Sequence, residues 1–166
     1  MDLAFVAPDL RSLDGIRADA LVFSLFQGEQ PFGGIAGHVD WRIGSRMSHL
    51  AAKGFLVGAA GELFLTPGRP KTPFPKLIGY GVGARAALTA EGCAPVYAHL
   101  FESMSGLGLE RVVLEPALLD DESIDVLLAA AHGHPTLQLV LAVPPGRDKG
   151  IAARSVRRRP PSRSRP

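Results

Sequence analysis

The chain has a single cysteine and no apolar run long enough to cross a membrane. Cys93 alone excludes an internal disulfide framework and a zinc site built from cysteines. A membrane-spanning helix needs about 18 consecutive apolar residues, which no stretch of this sequence approaches. The opening MDLAFVAPDLRSLD carries acidic residues where a secretory signal peptide has its positive segment. We therefore expect a cytoplasmic protein without membrane contact.

Recognisable catalytic and metal-binding motifs are also missing. The sequence contains neither H-E-x-x-H nor G-x-S-x-G. His132 and His134 stand near the end of a predicted helix, where imidazoles commonly hydrogen-bond to the last carbonyl oxygens. His38 and His49 are too far apart along their predicted helix to form a metal pair. We expect no catalytic residue, no metal and no cofactor.

Positive charge is concentrated at the C-terminal end. The segment from Arg147 holds eight of the 18 basic residues and only one of the 16 acidic ones, so the chain before it is mildly acidic. This segment is rich in proline and lacks apolar periodicity, so it cannot bury enough surface to offset the entropy of ordering. The pattern predicts one folded domain over residues 1–145 and a disordered basic tail over residues 146–166.

The tail also contains a cluster of arginines. Arg157, Arg158 and Arg159 are candidates for a weak, salt-sensitive contact with nucleic acid that does not depend on base sequence. No aromatic residues alternate with them to stack on bases. A solvated tail without a partner is the alternative interpretation, and the sequence leaves both open.

Short apolar runs and helical patterns alternate through the predicted domain. Strands are predicted near residues 3–7, 20–26, 62–66, 77–82, 110–115 and 137–143. Helices are predicted over residues 38–53, from about 94 to 105, and from 120 or 121 to 132. This order favours an α/β fold with a mixed, mostly parallel sheet of about six strands flanked by helices.

The segment from residue 46 to residue 83 has the most specific pattern. A helix is followed by a glycine-rich linker and then by a strand that ends G-x-G; the positions concerned are Lys53, Gly54, Phe55, Gly58, Gly61, Glu62, Gly81, Val82 and Gly83. This arrangement resembles the N-terminal domain of the leucyl aminopeptidase family. The resemblance implies a single three-layer, macrodomain-like domain.

The resemblance also carries a functional expectation. In that family the dinuclear metal site belongs to a larger C-terminal domain, which this chain does not contain. The resemblance therefore implies a stand-alone, non-catalytic homologue that acts in the assembly or regulation of a peptidase, or in self-association. The expected partners are further copies of the chain, forming a homo-oligomer, or a catalytic aminopeptidase chain.

A second interpretation rests on the loop PFGGIAG, which lies between a predicted strand and a predicted helix. Gly33, Gly34 and Gly37 would let the backbone approach a phosphate at a helix N-terminus. Macrodomains use a similar loop to bind ADP-ribose, so the alternative function is a binding module for ADP-ribose or a related nucleotide. Asp19 is a positional candidate for the contact to adenine. The same glycines could instead serve only a tight turn, and both interpretations remain open.

Overall fold

The computed structural model describes residues 3–157, apart from the side chain of Arg157. The strands are β1 (Leu3–Val6), β2 (Ala20–Phe26), β3 (Leu63–Pro67), β4 (Lys76–Gly83), β5 (Arg111–Leu114) and β6 (Gln138–Ala142). The helices are α1 (Leu10–Asp14), α2 (Gly34–Arg42), α3 (Arg46–Ala52), α4 (Ala90–Gly106), α5 (Asp121–His132) and α6 (Asp148–Arg157), and a 3₁₀ turn spans Arg85–Ala87.

The strands form one sheet in the order β1-β6-β5-β2-β4-β3. Every neighbouring pair is parallel except β3 and β4, which are antiparallel. The continuous apolar run of β2 predicts a strand buried on both faces, and all seven of its residues are buried. The predicted mixed, mostly parallel sheet of six strands is confirmed.

Helices cover both faces of this sheet, which gives the domain three layers. Side chains alternate along β2: Ala20 and Val22 join the core beneath α4 and α5, whereas Leu21 and Phe23 join the core beneath α1, α2 and α3. Both cores therefore depend on the central strand. Within residues 3–157, no helix is both long and apolar enough to cross a bilayer.

The single helix predicted over residues 38–53 is wrong, because the structure divides it into α2 and α3. Gly44 and Ser45 interrupt it with left-handed backbone angles, φ 74° and 58°. The buried carboxylate of Asp40 accepts the N–H groups of Met47, at 2.8 Å, and Ser48, at 3.2 Å. Asp40 thus caps α3 from the preceding helix. The apolar residues keep their helical spacing across the break, so periodicity alone did not reveal it.

Helix α4 begins four residues before the predicted start near residue 94. The Thr89 hydroxyl oxygen accepts the N–H of Gly92 at 3.1 Å and caps the first turn. Pro95 lies within the helix, where its missing N–H removes one intrahelical hydrogen bond without ending the element. The N-terminal cap at Thr89 therefore decides the boundary, and the predicted start near residue 94 is wrong.

The prediction that residues 146–166 are disordered is wrong for the part that forms α6. Ile151 is buried in the core beneath α4 and α5. The Arg154 guanidinium bonds the carboxylate of Asp121 and lies 3.3 Å from that of Asp125, both on α5. One apolar anchor and this ion-pair cluster hold α6 against α5, a docking that overall composition did not reveal.

We expect Asp40→Ala to destabilise the domain by about 1–3 kcal/mol, because the buried N–H groups at the start of α3 lose their acceptor. Asp14→Ala is the matched control. Asp14 is a partly exposed carboxylate that pairs with Arg42 at 2.7 Å, and its loss should cost about 0–1 kcal/mol. Urea unfolding followed by circular dichroism measures both. Equal losses in the two variants would contradict the capping role of Asp40.

Candidate functional site

The carboxyl ends of β2 and β5 lie side by side where the chain connections diverge. The segment after β2 leads to α2 on one face of the sheet, and the segment after β5 leads to α5 on the other face. In open α/β sheets, ligands bind in the crevice outside the carboxyl ends of the strands at such a switch point. The topology therefore directs attention to the space between these two strand ends.

A cavity of about 80 Å³ occupies this position. Its walls come from the end of β2, the loop that follows, the start of α2, the 3₁₀ turn after β4 and the residue that follows β5. Ser24 and Phe26 contribute from β2, and Arg85 and Glu115 contribute from the two other connections. A cavity of this size holds a few water molecules or one small group of a larger ligand.

Two of the three glycines predicted to bind a ligand lie in the cavity wall. A Cβ atom on Gly33 would stand 2.9 Å from Oε1 of Glu29, and one on Gly34 would stand 3.1 Å from Oε1 of Glu115. Gly34 also has φ +54°, which favours glycine. Any side chain at these positions would therefore crowd the carboxylates of the cavity.

Gly37 has a different environment. A Cβ atom there would lie 2.4 Å from the carbonyl oxygen of Phe32, so the glycine permits a close approach between α2 and the preceding loop. It does not line the cavity. The geometry thus separates Gly33 and Gly34, which border the cavity, from Gly37, which packs. Ligand binding by the three remains a prediction.

Glu115 is the main site residue that the sequence analysis missed. Its Oε2 atom accepts the backbone N–H of Ser24 at 3.3 Å and the Ser24 hydroxyl at 3.4 Å. Burial raises the pKa of the Glu115 carboxyl, while Ser24, the N–H of Ile35 and the charge of Arg85 act in the opposite direction without cancelling the effect. A carboxyl group with an elevated pKa in a cleft is a candidate for function.

Two buried tyrosines fix the backbone that carries this carboxylate. The Tyr80 hydroxyl donates to the carbonyl oxygen of Glu115 at 2.6 Å, and the Tyr97 hydroxyl accepts the N–H of Ala117 at 3.0 Å. Burial raises the pKa of both phenols, so they remain neutral. The loop after β5 is thereby attached to β4 and α4, which holds Glu115 against the cavity.

Arg85 supplies the positive charge of the site. Its guanidinium carbon lies 3.6 Å from the centre of the Phe26 ring, and one of its nitrogens lies 2.8 Å from the carboxylate of Glu29. This cation–π contact and ion pair position the guanidinium at the cavity wall. The carboxylates of the site can therefore accept hydrogen bonds from hydroxyl groups, and the guanidinium of Arg85 can bind an anion.

A second cavity, of about 240 Å³, also lies at the carboxyl ends of the parallel strands, between the ends of β1 and β6. It is lined by Phe5, Val6 and Ala7 on one side and by the segment from Val143 to Gly146 together with Asp148 on the other. The two cavities are separated by about two strand spacings, or roughly 10 Å. One elongated ligand could reach both.

Asp19 does not lie at the carboxyl ends of the strands, where the two cavities are. Its assignment as a contact to adenine is therefore wrong. It precedes β2, and its carboxylate accepts the N–H groups of Glu110 and Arg111, each at 2.9 Å, at the amino end of β5. The strands of the sheet separate it from Gly33 and Gly34. Its observed role is to connect the start of β2 to the start of β5 through these hydrogen bonds.

The other sequence candidates lie elsewhere. His132 contacts the carbonyl oxygen of Leu128, and His134 contacts the hydroxyl of Ser105, each at 2.6 Å. Among residues 3–157, no group of three or more histidine, cysteine, aspartate or glutamate side chains is arranged to hold a metal ion. The candidate nucleic-acid contacts Arg158 and Arg159, and the side chain of Arg157, fall outside the described part of the chain.

Comparison with solved structures identifies the fold, whereas no protein-family model matches the sequence. The macrodomain of Mycobacterium tuberculosis DarG is 17% identical, with a TM-score of 0.68 over 86% of this chain and 97% of that one. A Trypanosoma brucei macrodomain in complex with ADP is 15% identical, with a TM-score of 0.67 over 93% of this chain and 67% of that one. The chain has the macrodomain α/β fold.

A tomato leucine aminopeptidase is also similar, at 11% identity and a TM-score of 0.66. The match covers 94% of this chain but only 35% of the aminopeptidase. Most of the similar structures are macrodomains, including one with ADP bound. This finding overturns the expectation that the chain is an assembly or regulatory homologue of the aminopeptidase N-terminal domain.

The elevated pKa of Glu115 predicts a pH-dependent stability. The carboxyl group has an ordinary pKa of 4.5 in the unfolded chain and a higher pKa in the folded protein. At a pH between these two values, the folded state holds a proton that the unfolded state has lost. The free energy of unfolding should therefore fall as the pH rises from about 4.5 through the folded pKa. In Glu115→Gln this component should vanish. Urea unfolding of both proteins at pH values from 4.5 to 8 measures the free energy of unfolding. The same dependence on pH in both proteins would contradict the assignment to Glu115.

Proposed function

We propose that the chain is a macrodomain-type binding module for ADP-ribose or a related nucleotide. The observation that supports this most directly is the cavity at the switch point of the sheet, where the start of α2, Arg85 and Glu115 converge. The proposal concerns reversible binding and assigns no catalytic residue. It replaces the assembly function expected from the aminopeptidase resemblance.

The chemistry of the cavity suits the parts of such a ligand. Arg85 can pair with a phosphate oxygen, and the absence of side chains on Gly33 and Gly34 lets the ligand approach the backbone at the start of α2. The Ser24 hydroxyl and the carboxylates of Glu29 and Glu115 can accept hydrogen bonds from sugar hydroxyls. Phosphate and sugar are the two groups that occur together in a nucleoside diphosphate sugar.

The spacing of the two cavities supports an elongated ligand. A diphosphate links two sugar-bearing ends, and the cavities lie roughly 10 Å apart on one edge of the sheet. The cavity between β1 and β6 is bordered by Phe5, Val6, Val143 and Pro144, which give it an apolar wall suited to a flat base. We therefore infer that the base lies near β1 and β6 and that the distal end lies near β2 and β5.

The proposal predicts a large thermal shift with ADP-ribose. A ligand at 100 times its dissociation constant stabilises the folded state by about 2.7 kcal/mol. For a chain of this size, each kcal/mol raises the melting temperature by about 2–4 °C, so the total shift should be roughly 5–11 °C. Differential scanning fluorimetry measures it, with free ribose as a control lacking phosphate and base. No shift at millimolar ADP-ribose would count against the proposed function.

A matched pair of glycine variants tests where the ligand binds. Gly34→Ala and Gly44→Ala both place a side chain at a positive φ, 54° and 74°, so each carries a similar backbone cost of about 1–2 kcal/mol. Only Gly34 borders the cavity, whereas a Cβ atom on Gly44 meets nothing within 4 Å.

We expect Gly34→Ala to weaken ADP-ribose binding at least about tenfold, which is about 1.4 kcal/mol. Gly44→Ala should bind like the unmodified protein. Isothermal titration calorimetry on both folded variants provides the comparison. Equal affinities would exclude the start of α2 from the binding site.

A further inference from the structure

The carboxylate of Glu115 lies where an incoming phosphate would be expected. Helix α2 begins at Gly34, and the free N–H groups of its first turn attract negative charge. The N–H of Ile35 in this turn favours the ionised form of Glu115, and Oε1 of the carboxylate lies 3.1 Å from the position of a Cβ atom on Gly34. The protein's own carboxylate therefore lies beside the start of α2, where an anionic ligand would also be attracted.

The charges that face Glu115 leave the cavity acidic. Arg85, from the turn after β4, is the one basic residue in the wall, and it already pairs with Glu29 from the loop after β2. Tyr80 from β4 donates its hydroxyl to the carbonyl oxygen of Glu115, Tyr97 from α4 accepts the N–H of Ala117, and both are neutral phenols. With both carboxylates ionised, two negative charges face the single positive charge of Arg85, so the cavity has a net negative charge. A ligand phosphate would add further negative charge.

We propose that Glu115 competes with the ligand's phosphate for the start of α2, so that an anionic ligand and one proton bind together. This inference rests on the proposed nucleotide-binding function and adds its regulation. Neutralising the carboxyl group removes the repulsion and frees the N–H groups of α2 for a phosphate oxygen. In the proposed complex, Glu115 carries the proton and can donate a hydrogen bond to the ligand instead of repelling it.

The burial that raises the pKa of Glu115 lowers the cost of protonating this carboxyl group relative to an exposed one. The affinity of the unmodified protein should rise as the pH falls, by up to about tenfold per pH unit for one linked proton. No histidine lines the cavity, so histidine titration is not an alternative source among the residues that form it.

ADP-ribose is the appropriate probe. Each of its phosphates has one ester bond to a ribose and shares the anhydride bond with the other, so neither has a proton that titrates near neutral pH. The terminal phosphate of ADP has a proton with a pKa near 6 and would add its own pH dependence. Any proton taken up with ADP-ribose therefore belongs to the protein.

Calorimetric titration of ADP-ribose in buffers of different ionisation enthalpy counts the protons taken up. For the unmodified protein we expect a positive proton uptake and an affinity that weakens as the pH rises from 5.5 to 8. For Glu115→Gln, which keeps an acceptor but cannot ionise, we expect no uptake, an affinity independent of pH, and binding at pH 8 at least about tenfold tighter than in the unmodified protein.

Glu29→Gln is the matched control, because it removes the other carboxylate of the same cavity and leaves Glu115 in place. It should bind more tightly yet still take up a proton. Uptake lost in Glu29→Gln but retained in Glu115→Gln would overturn the assignment to Glu115. Binding without proton uptake in the unmodified protein would overturn the inference and leave the proposed function intact, whereas no binding by any of the three proteins at any pH would overturn both.

Discussion

The burial of β2 on both faces is the constraint on which the rest of the structure depends. Its seven buried residues pair with β4 on one side and β5 on the other, and its alternate side chains enter both cores. Because α2 and α5 leave β2 and β5 for opposite faces, a crevice forms between the two strand ends. The candidate site is thus a consequence of strand order, and Ser24, Phe26 and Glu115 reach it as residues at those ends.

The electrostatics of the site follow from this same position. A residue that directly follows β5 is enclosed by the neighbouring connections, so the Glu115 carboxyl is desolvated and its pKa rises. Backbone N–H groups and Arg85 compensate the charge only partly. The crevice consequently combines groups that attract an anion with a carboxylate that repels one.

Much of the fold could be predicted from the sequence, because apolar periodicity reports burial directly. The run from Ala20 to Phe26 and the patterns of the other five strands led to the correct sheet. Helix boundaries were less predictable, since they depend on particular side chains: Asp40 caps α3 across the break, and Thr89 caps α4 ahead of Pro95.

For the site, Gly33 and Gly34 of the glycine cluster lie at the cavity, and ligand binding by this loop stays a prediction. Glu115 and Arg85 carry no local motif. Their proximity to Ser24 and Phe26 arises from parallel pairing between segments far apart in the chain, which spacing alone could not show. One available signal was the position of Glu115 itself, at the carboxyl end of a predicted strand. The hydrogen bond from Tyr80 to the carbonyl of Glu115 has a further consequence: it fixes the backbone of the site before any ligand arrives. In the proposed complex, Glu115 therefore loses little backbone entropy, which lowers the entropic cost of binding at this part of the site.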